Sequence, residues 1–132
     1  MAMECEAFFD SSGEYASINT NCFHSPLNAS DLQYVAAFCN SNLFMFLYNQ
    51  FFGALRMSGG YYQFQSPQLR VIPLRNLPDA ERERLVELVD SIQSDSHSDE
   101  RAKADALAEI NAVIYRGYSL SREEIGIIER VQ

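Results

Sequence analysis

The residues of the first part of the chain best suited to chemistry are three cysteines and a histidine. Cys22 and His24 are separated by one residue, while Cys5 and Cys39 lie at a distance on either side. Zinc sites use ligand pairs at close spacing, and only the Cys22–His24 pair is close. The same residues are no better supported as a cysteine–histidine nucleophile pair. We therefore expect structural cysteines and predict no metal site.

Carboxylates are the second candidate for chemistry. Several Asp and Glu residues lie between positions 79 and 95, mostly on the face of a predicted helix opposite its apolar stripe. This arrangement is typical of a solvated helix face and not of a paired-carboxylate site. The sequence also contains no P-loop, no GxGxxG and no GxSxG motif. We predict no catalytic residue in this chain.

The third candidate is the segment RMSGGYYQF, which begins at Arg56 and ends at Phe64. Arginine makes bidentate contacts to phosphate or guanine, and the Gly59-Gly60 pair lets the backbone approach a ligand closely. Tyrosine and glutamine side chains add contacts of the kind that reach phosphates and base edges. The alternative is that the glycines end a helix and a half-buried strand follows. Composition alone favours this alternative.

Hydrophobic periodicity outlines the elements that would position these residues. Apolar spacings of three and four predict one long central helix over residues 31–55, opened by a Ser30–Gln33 capping box. Alternating or short apolar runs predict strands at residues 15–18, 22–23, 61–64 and 69–74.

Three further helices are predicted in the second half of the chain. The first begins near Pro78 and continues through Ile92, the second covers residues 99–115, and a Ser121–Glu124 capping box opens the last. We therefore predict an α+β fold in which the long helix packs on a few short, mostly antiparallel strands, followed by C-terminal helices. Residues 1–132 form a single domain, with an α+β part over 1–76 and a helical part over 77–132.

Composition and charge narrow the function classes. The chain has 132 residues, 47% of them hydrophobic and 21% charged, which fits one globular domain. Ten basic residues against 18 acidic ones give a net charge of −8, so the chain as a whole lacks the basic footprint of a nucleic-acid binder. Polar residues interrupt the most apolar stretch, so no membrane span is expected. An odd number of cysteines without a CxxC motif favours the cytoplasm.

Four segments in a fixed order carry a family resemblance. They are NSNLF at residues 40–44, GGYYQF at 59–64, LRVIPL at 69–74, and the ending at 112–129. This set resembles the TaqI-like C-terminal specificity domain of adenine-N6 DNA methyltransferases and type IIG restriction-modification enzymes. The NPPY motif and the S-adenosylmethionine loop of the methyltransferase domain are absent. The resemblance therefore implies a C-terminal fragment that binds no cofactor itself.

The resemblance implies recognition of a short duplex DNA sequence, which orients a separate methyltransferase catalytic domain. A protein-interaction or assembly module that does not bind DNA is the alternative. A homodimer is a further expectation, because a fragment would expose apolar surface. For DNA recognition, the predicted DNA-contacting residues are Arg56, Ser58, Gly59, Gly60, Tyr61, Tyr62, Gln63, Arg70 and Arg75.

Overall fold

The fold is mostly helical in the part of the chain that the structure describes. The computed structural model describes residues 4–10, 28, 30–57, 59–94 and 100–131. A 3-10 turn at Gly53–Leu55 extends the second helix. The helices are α1 (Asp31–Cys39), α2 (Asn42–Phe52), α3 (Ser66–Leu69), α4 (Asp79–Ser94), α5 (Glu100–Gly117) and α6 (Arg122–Val131).

The predicted α+β fold with antiparallel strands is wrong. Over the described ranges the only extended pairing is a single bridge residue, Tyr62. Residues 61–64 form no strand. The segment 69–74 begins with Leu69, the last residue of α3, and α3 has Pro67 in its first turn, where the fixed φ of proline suits a helix. Tyr62 and Ile72 are buried in the helical core, and a strand requires a ladder of residues paired with a backbone at about 4.8 Å, whereas pairing in the described part of these two segments is limited to the bridge at Tyr62. The strands predicted at 15–18 and 22–23 lie outside the described residues.

The predicted helix over residues 31–55 is interrupted at Asn40 and Ser41. The Asn40 amide bonds the backbone of Ala7, accepting from its N–H at 2.9 Å and donating to its carbonyl at 2.8 Å. Ser41 begins α2 as an N-cap, since its Oγ accepts from the Phe44 N–H at 3.2 Å and donates to the Phe38 carbonyl at 2.6 Å. The two Ser41 bonds satisfy backbone groups that the break exposes, and the Asn40 amide ties the break to Ala7, so two helices replace one.

Both capping boxes can be compared with the structure. The Ser121–Glu124 box is confirmed, because the Ser121 N–H donates to Glu124 Oε2 at 2.7 Å and the Glu124 N–H donates to Ser121 Oγ at 3.1 Å. The Ser30–Gln33 box is wrong, because the Ser30 side chain makes no capping bond and Gln33 donates instead to Asp90 on α4. The three C-terminal helices are confirmed, with bounds within about two residues of those expected.

The core lies between α1, α2 and the three C-terminal helices. Helix α4 packs against α1 and α5, while α2 packs against α5 and α6. On the outside, the Arg84 guanidinium donates two hydrogen bonds to the Glu109 carboxylate, from Nε to Oε1 at 2.7 Å and from Nη2 to Oε2 at 2.8 Å. This pair joins α4 to α5. These five helices support the long connection between α2 and α4. The most completely buried side chains are those of Ala37, Ser41, Phe44, Tyr48, Leu85, Ile110, Val113 and Ile114.

Candidate DNA-contacting segment

The chain between α2 and α4, residues 53–78, is here called the connecting segment. No Asp or Glu stands between Asp31 and Asp79, and the only charged residues in that interval are Arg56, Arg70 and Arg75. All three arginines are exposed. The connecting segment is therefore a cationic stretch on a chain whose net charge is −8.

Gly59 and Gly60 turn the chain back on itself. Their φ angles are 91° and 84°, in the left-handed region that glycine adopts without strain. The Met57 N–H donates to the Tyr61 carbonyl at 2.8 Å, and the Gly60 N–H donates to the Met57 carbonyl at 2.9 Å. The expectation that this pair ends the helix is wrong, because α2 ends at Phe52 and its 3-10 extension at Leu55. The turn carries Tyr61, which is 44% exposed.

Arg56 is held in place by a polar triangle with α2. Its Nε donates to the Tyr62 hydroxyl and its Nη2 to Asn49 Oδ1, each at 2.7 Å. The Tyr62 hydroxyl donates to the same Asn49 oxygen, and the guanidinium carbon lies 4.7 Å from the centre of the Tyr62 ring. Tyr62 is itself buried and therefore supports Arg56 from the core. The charge of Arg56 stays at the surface in a fixed position.

The backbone of Arg75 is fixed by two tyrosines, Tyr34 of α1 and Tyr118, which follows α5. The Tyr118 hydroxyl accepts from the Arg75 N–H at 2.9 Å and donates to the Pro73 carbonyl at 2.9 Å. The Tyr34 hydroxyl donates to the Arg75 carbonyl. Burial raises the pKa of both tyrosines, which keeps the hydroxyls protonated. The backbone at Arg75 is thus held while its side chain is exposed.

Arg70 and Gln63 occupy the middle of the connecting segment. Arg70 directly follows α3, and its side chain has no ion pair or hydrogen bond with the described parts of the chain. The Gln63 carbonyl accepts from the Tyr48 hydroxyl at 2.6 Å, and its side chain, which accepts from Gln65 at 3.1 Å, is exposed.

The structure distributes the predicted contact residues over two anchored ends. Arg56 is bound to α2, and Arg75 is bound to Tyr34 of α1 and to Tyr118, which follows α5. Ser58 lies outside the described residues. The anchoring groups Asn49, Tyr34 and Tyr118 were not among the residues predicted from the sequence, since each acts on a residue that no local spacing links to it.

A small cavity adjoins the connecting segment. Its volume is about 230 Å³, and five of its lining side chains are apolar, aromatic or hydrogen-bonded. The sixth is Gln68, whose Oε1 is buried and has no hydrogen-bond partner within the described residues. Gln68 was not among the residues predicted from the sequence. The lining residues are Tyr48, Phe52, Leu55, Tyr62, Gln63 and Gln68.

The cysteines offer no metal centre within the described ranges. Cys5 and Cys39 are free thiols hydrogen-bonded to each other, which lowers the pKa of Cys5 and raises that of Cys39, whose burial acts in the same direction. No group of three or more potential ligands is close enough to hold a metal there. Cys22 and His24 lie outside the described residues. Among the helices that the structure describes, none has the length and apolar character needed to cross a membrane.

No protein-family model, no curated protein and no solved structure matches the chain. The likeness to TaqI-like specificity domains accordingly stays a prediction from four sequence segments.

Proposed function

We propose that the chain recognises duplex DNA through the connecting segment, as the target-recognition part of a restriction-modification adenine-N6 methyltransferase whose catalytic domain is separate. One observation carries the proposal. The only charged side chains between Asp31 and Asp79 are exposed arginines, and they flank a glycine turn that presents Tyr61.

Charge separation along the chain reconciles this proposal with the net charge of −8. The excess of acid lies mainly on α4 to α6, whereas the connecting segment is purely cationic. Binding that neutralises about three phosphates gives a slope of roughly −3 for log K against log salt. Such a slope is modest, and the separate catalytic domain would supply further phosphate contacts in the parent enzyme.

The anchoring of the segment favours recognition by a preorganised surface. Asn49 and Tyr62 position the Arg56 guanidinium, while Tyr34 and Tyr118 hold the backbone at Arg75. A surface that is already ordered loses less conformational entropy on binding than a mobile loop. Arg70 supplies a third contact whose side chain can adapt.

A protein-interaction or assembly module is the second candidate, because apolar side chains are exposed in the same region. Leu55, Val71 and Leu74 are 63%, 54% and 46% exposed, and Phe51 at the end of α2 is 53% exposed. Apolar side chains at a surface mark contact sites when they form a contiguous patch. In the DNA-recognition proposal they contact the catalytic domain of the parent protein. In the alternative they bind a protein partner, or a second copy, without DNA.

DNA binding by the purified full chain tests the choice. Fluorescence anisotropy with a random-sequence duplex library, measured over a range of salt concentrations, gives the affinity and the salt slope. Arg70→Ala and Arg75→Ala should each weaken binding and reduce the slope by about one unit if the lost contact is to phosphate. Arg101→Ala on α5, equally exposed, is the matched control and should change neither quantity.

The outcome that overturns the proposal is equally definite. Binding that is absent, or that all three variants weaken alike, excludes the connecting segment as a DNA-contacting surface and leaves the interaction module.

The proposal gives this chain no catalytic step and no cofactor. S-adenosylmethionine would bind in the separate catalytic domain, and the purified chain should transfer no methyl group from it to duplex DNA. We also propose a cytoplasmic location, in keeping with the free thiols of Cys5 and Cys39.

A further inference from the structure

We propose that the cavity beside α3 is a binding site for one unstacked nucleobase that carries an exocyclic amine, such as adenine or cytosine. The inference deepens the proposed function and rests on it for the source of the base. Three features of the cavity support the site: its walls, its volume and one unpaired acceptor atom.

Three of the six residues that line the cavity, Tyr48, Phe52 and Tyr62, are aromatic. The Tyr48 ring centre lies 5.0 Å from that of Phe52 and 5.6 Å from that of Tyr62, at interplanar angles of 52° and 81°. None of the six lining residues is charged, so the cavity suits a neutral group. Leu55 and Gln63 are exposed and place the cavity at the surface. Bases removed from a helix are bound by stacking on aromatic rings of this kind.

The volume restricts the occupant to a single ring system. The cavity measures about 230 Å³. Apolar cavities of about 150 Å³ hold benzene, whereas sites for drug-sized ligands begin near about 300 Å³. A one- or two-ring heterocycle lies between these limits.

The polar atoms of the cavity decide which edge the ring must present. The Tyr48 hydroxyl already donates to the Gln63 carbonyl, and the Tyr62 hydroxyl is engaged with Asn49 and Arg56. Only Gln68 Oε1 is buried without a partner in the described residues. A buried acceptor without a donor is costly, so an occupant with an N–H group is favoured over one without. The amines of adenine and cytosine are such donors.

The position of Arg56 favours a nucleotide over a heterocycle without a phosphate. Its guanidinium lies against Tyr62, which lines the cavity, and is held there by Asn49. A phosphate joined to a base in the cavity would find this exposed cation beside the cavity wall. The cavity supplies the neutral, aromatic part of a nucleotide site, and Arg56 supplies the cationic part.

Titration of the full chain with two adenine derivatives tests the hydrogen bond to Gln68. The first is 9-methyladenine, which retains the amine, and the second is its N6,N6-dimethyl derivative, which cannot donate. Because the donor-free ring leaves the Gln68 acceptor unpaired, we expect it to bind about tenfold more weakly by NMR titration. Gln68→Leu should abolish this discrimination, whereas the exposed Gln50→Leu should retain it. Equal affinity of wild type for both compounds, or no binding of either, overturns the inference.

A second pair of probes identifies the source of the base. A duplex with one unpaired adenine should bind more tightly than a fully paired duplex, and Gln68→Leu should remove the difference while leaving the salt slope unchanged. If 9-methyladenine binds but no duplex does, the proposed function fails and the site is one for a free nucleotide, which adenosine monophosphate would then occupy. If duplexes bind with the expected salt slope but neither adenine derivative does, the proposed function stands and the base site is refuted.

Discussion

Replacing Gly117 by alanine should destabilise the protein through a single close approach. Gly117 is the last residue of α5, and a Cβ there would stand 2.4 Å from Cδ2 and 2.9 Å from Cδ1 of Leu77. Leu77 is only 3% exposed and lies two residues before the start of α4, so it has little space into which to move. The added methyl group must therefore displace the connecting segment from the end of α5.

The expected cost follows from two opposing contributions. Overpacking of this kind costs about 1–3 kcal/mol, and the better helix propensity of alanine returns at most about 1 kcal/mol. We expect a net loss of about 1–2 kcal/mol in the free energy of unfolding. Gly126→Ala in α6 is the matched control, since its Cβ would lie 3.9 Å from the nearest atom, Arg130 Nη2. That variant should gain about 0.5–1 kcal/mol.

Urea unfolding followed by far-UV circular dichroism measures both changes. The midpoint should fall for Gly117→Ala and rise for Gly126→Ala, with the slope m unchanged in each. A Gly117→Ala protein as stable as wild type would refute the packing of Leu77 against the end of α5. If Gly126→Ala also lowered the midpoint, free space around an added Cβ would not explain the difference between the two variants.

Three further predictions concern stability and association. Ser41→Ala should lower the free energy of unfolding by about 1–2 kcal/mol, since it removes a buried cap, and Ser30→Ala, which removes no capping bond, should change it by less than about 0.5 kcal/mol. The Arg84 guanidinium holds the pKa of Glu109 below its usual 4.5, so this pair stabilises the fold above that pH and the contribution is lost on acidification. Arg84→Met should therefore have a lower free energy of unfolding than wild type at neutral pH. In unfolding curves measured in acid, the difference between the two proteins should vanish. The exposed apolar residues predict concentration-dependent association in light scattering, which Phe51→Ser should reduce and which a constant monomer mass at all concentrations would contradict.

Local patterns were sufficient where an element forms from its own residues. The apolar stripe of α4, with Leu85, Leu88 and Val89 buried, follows from helical periodicity alone. The capping box at Ser121 and Glu124 joins residues three apart and needs no other part of the chain. The sequence alone also specified the cationic character of residues 53–78, because charge is a property of residue type.

Tertiary contacts decided what alternating and continuous apolar runs could not. The run at residues 61–64 satisfies the pattern of a strand, but a strand needs another backbone paired along its length. Within the run such pairing is limited to the bridge at Tyr62, whose ring packs against Tyr48 of α2. The break at Asn40 depends on the backbone of Ala7, 33 residues away in sequence. The fixing of Arg75 depends likewise on Tyr34 and Tyr118, more than forty residues distant. Such long-range hydrogen bonds leave no periodic signal in the sequence, since each is formed only after the helices have packed.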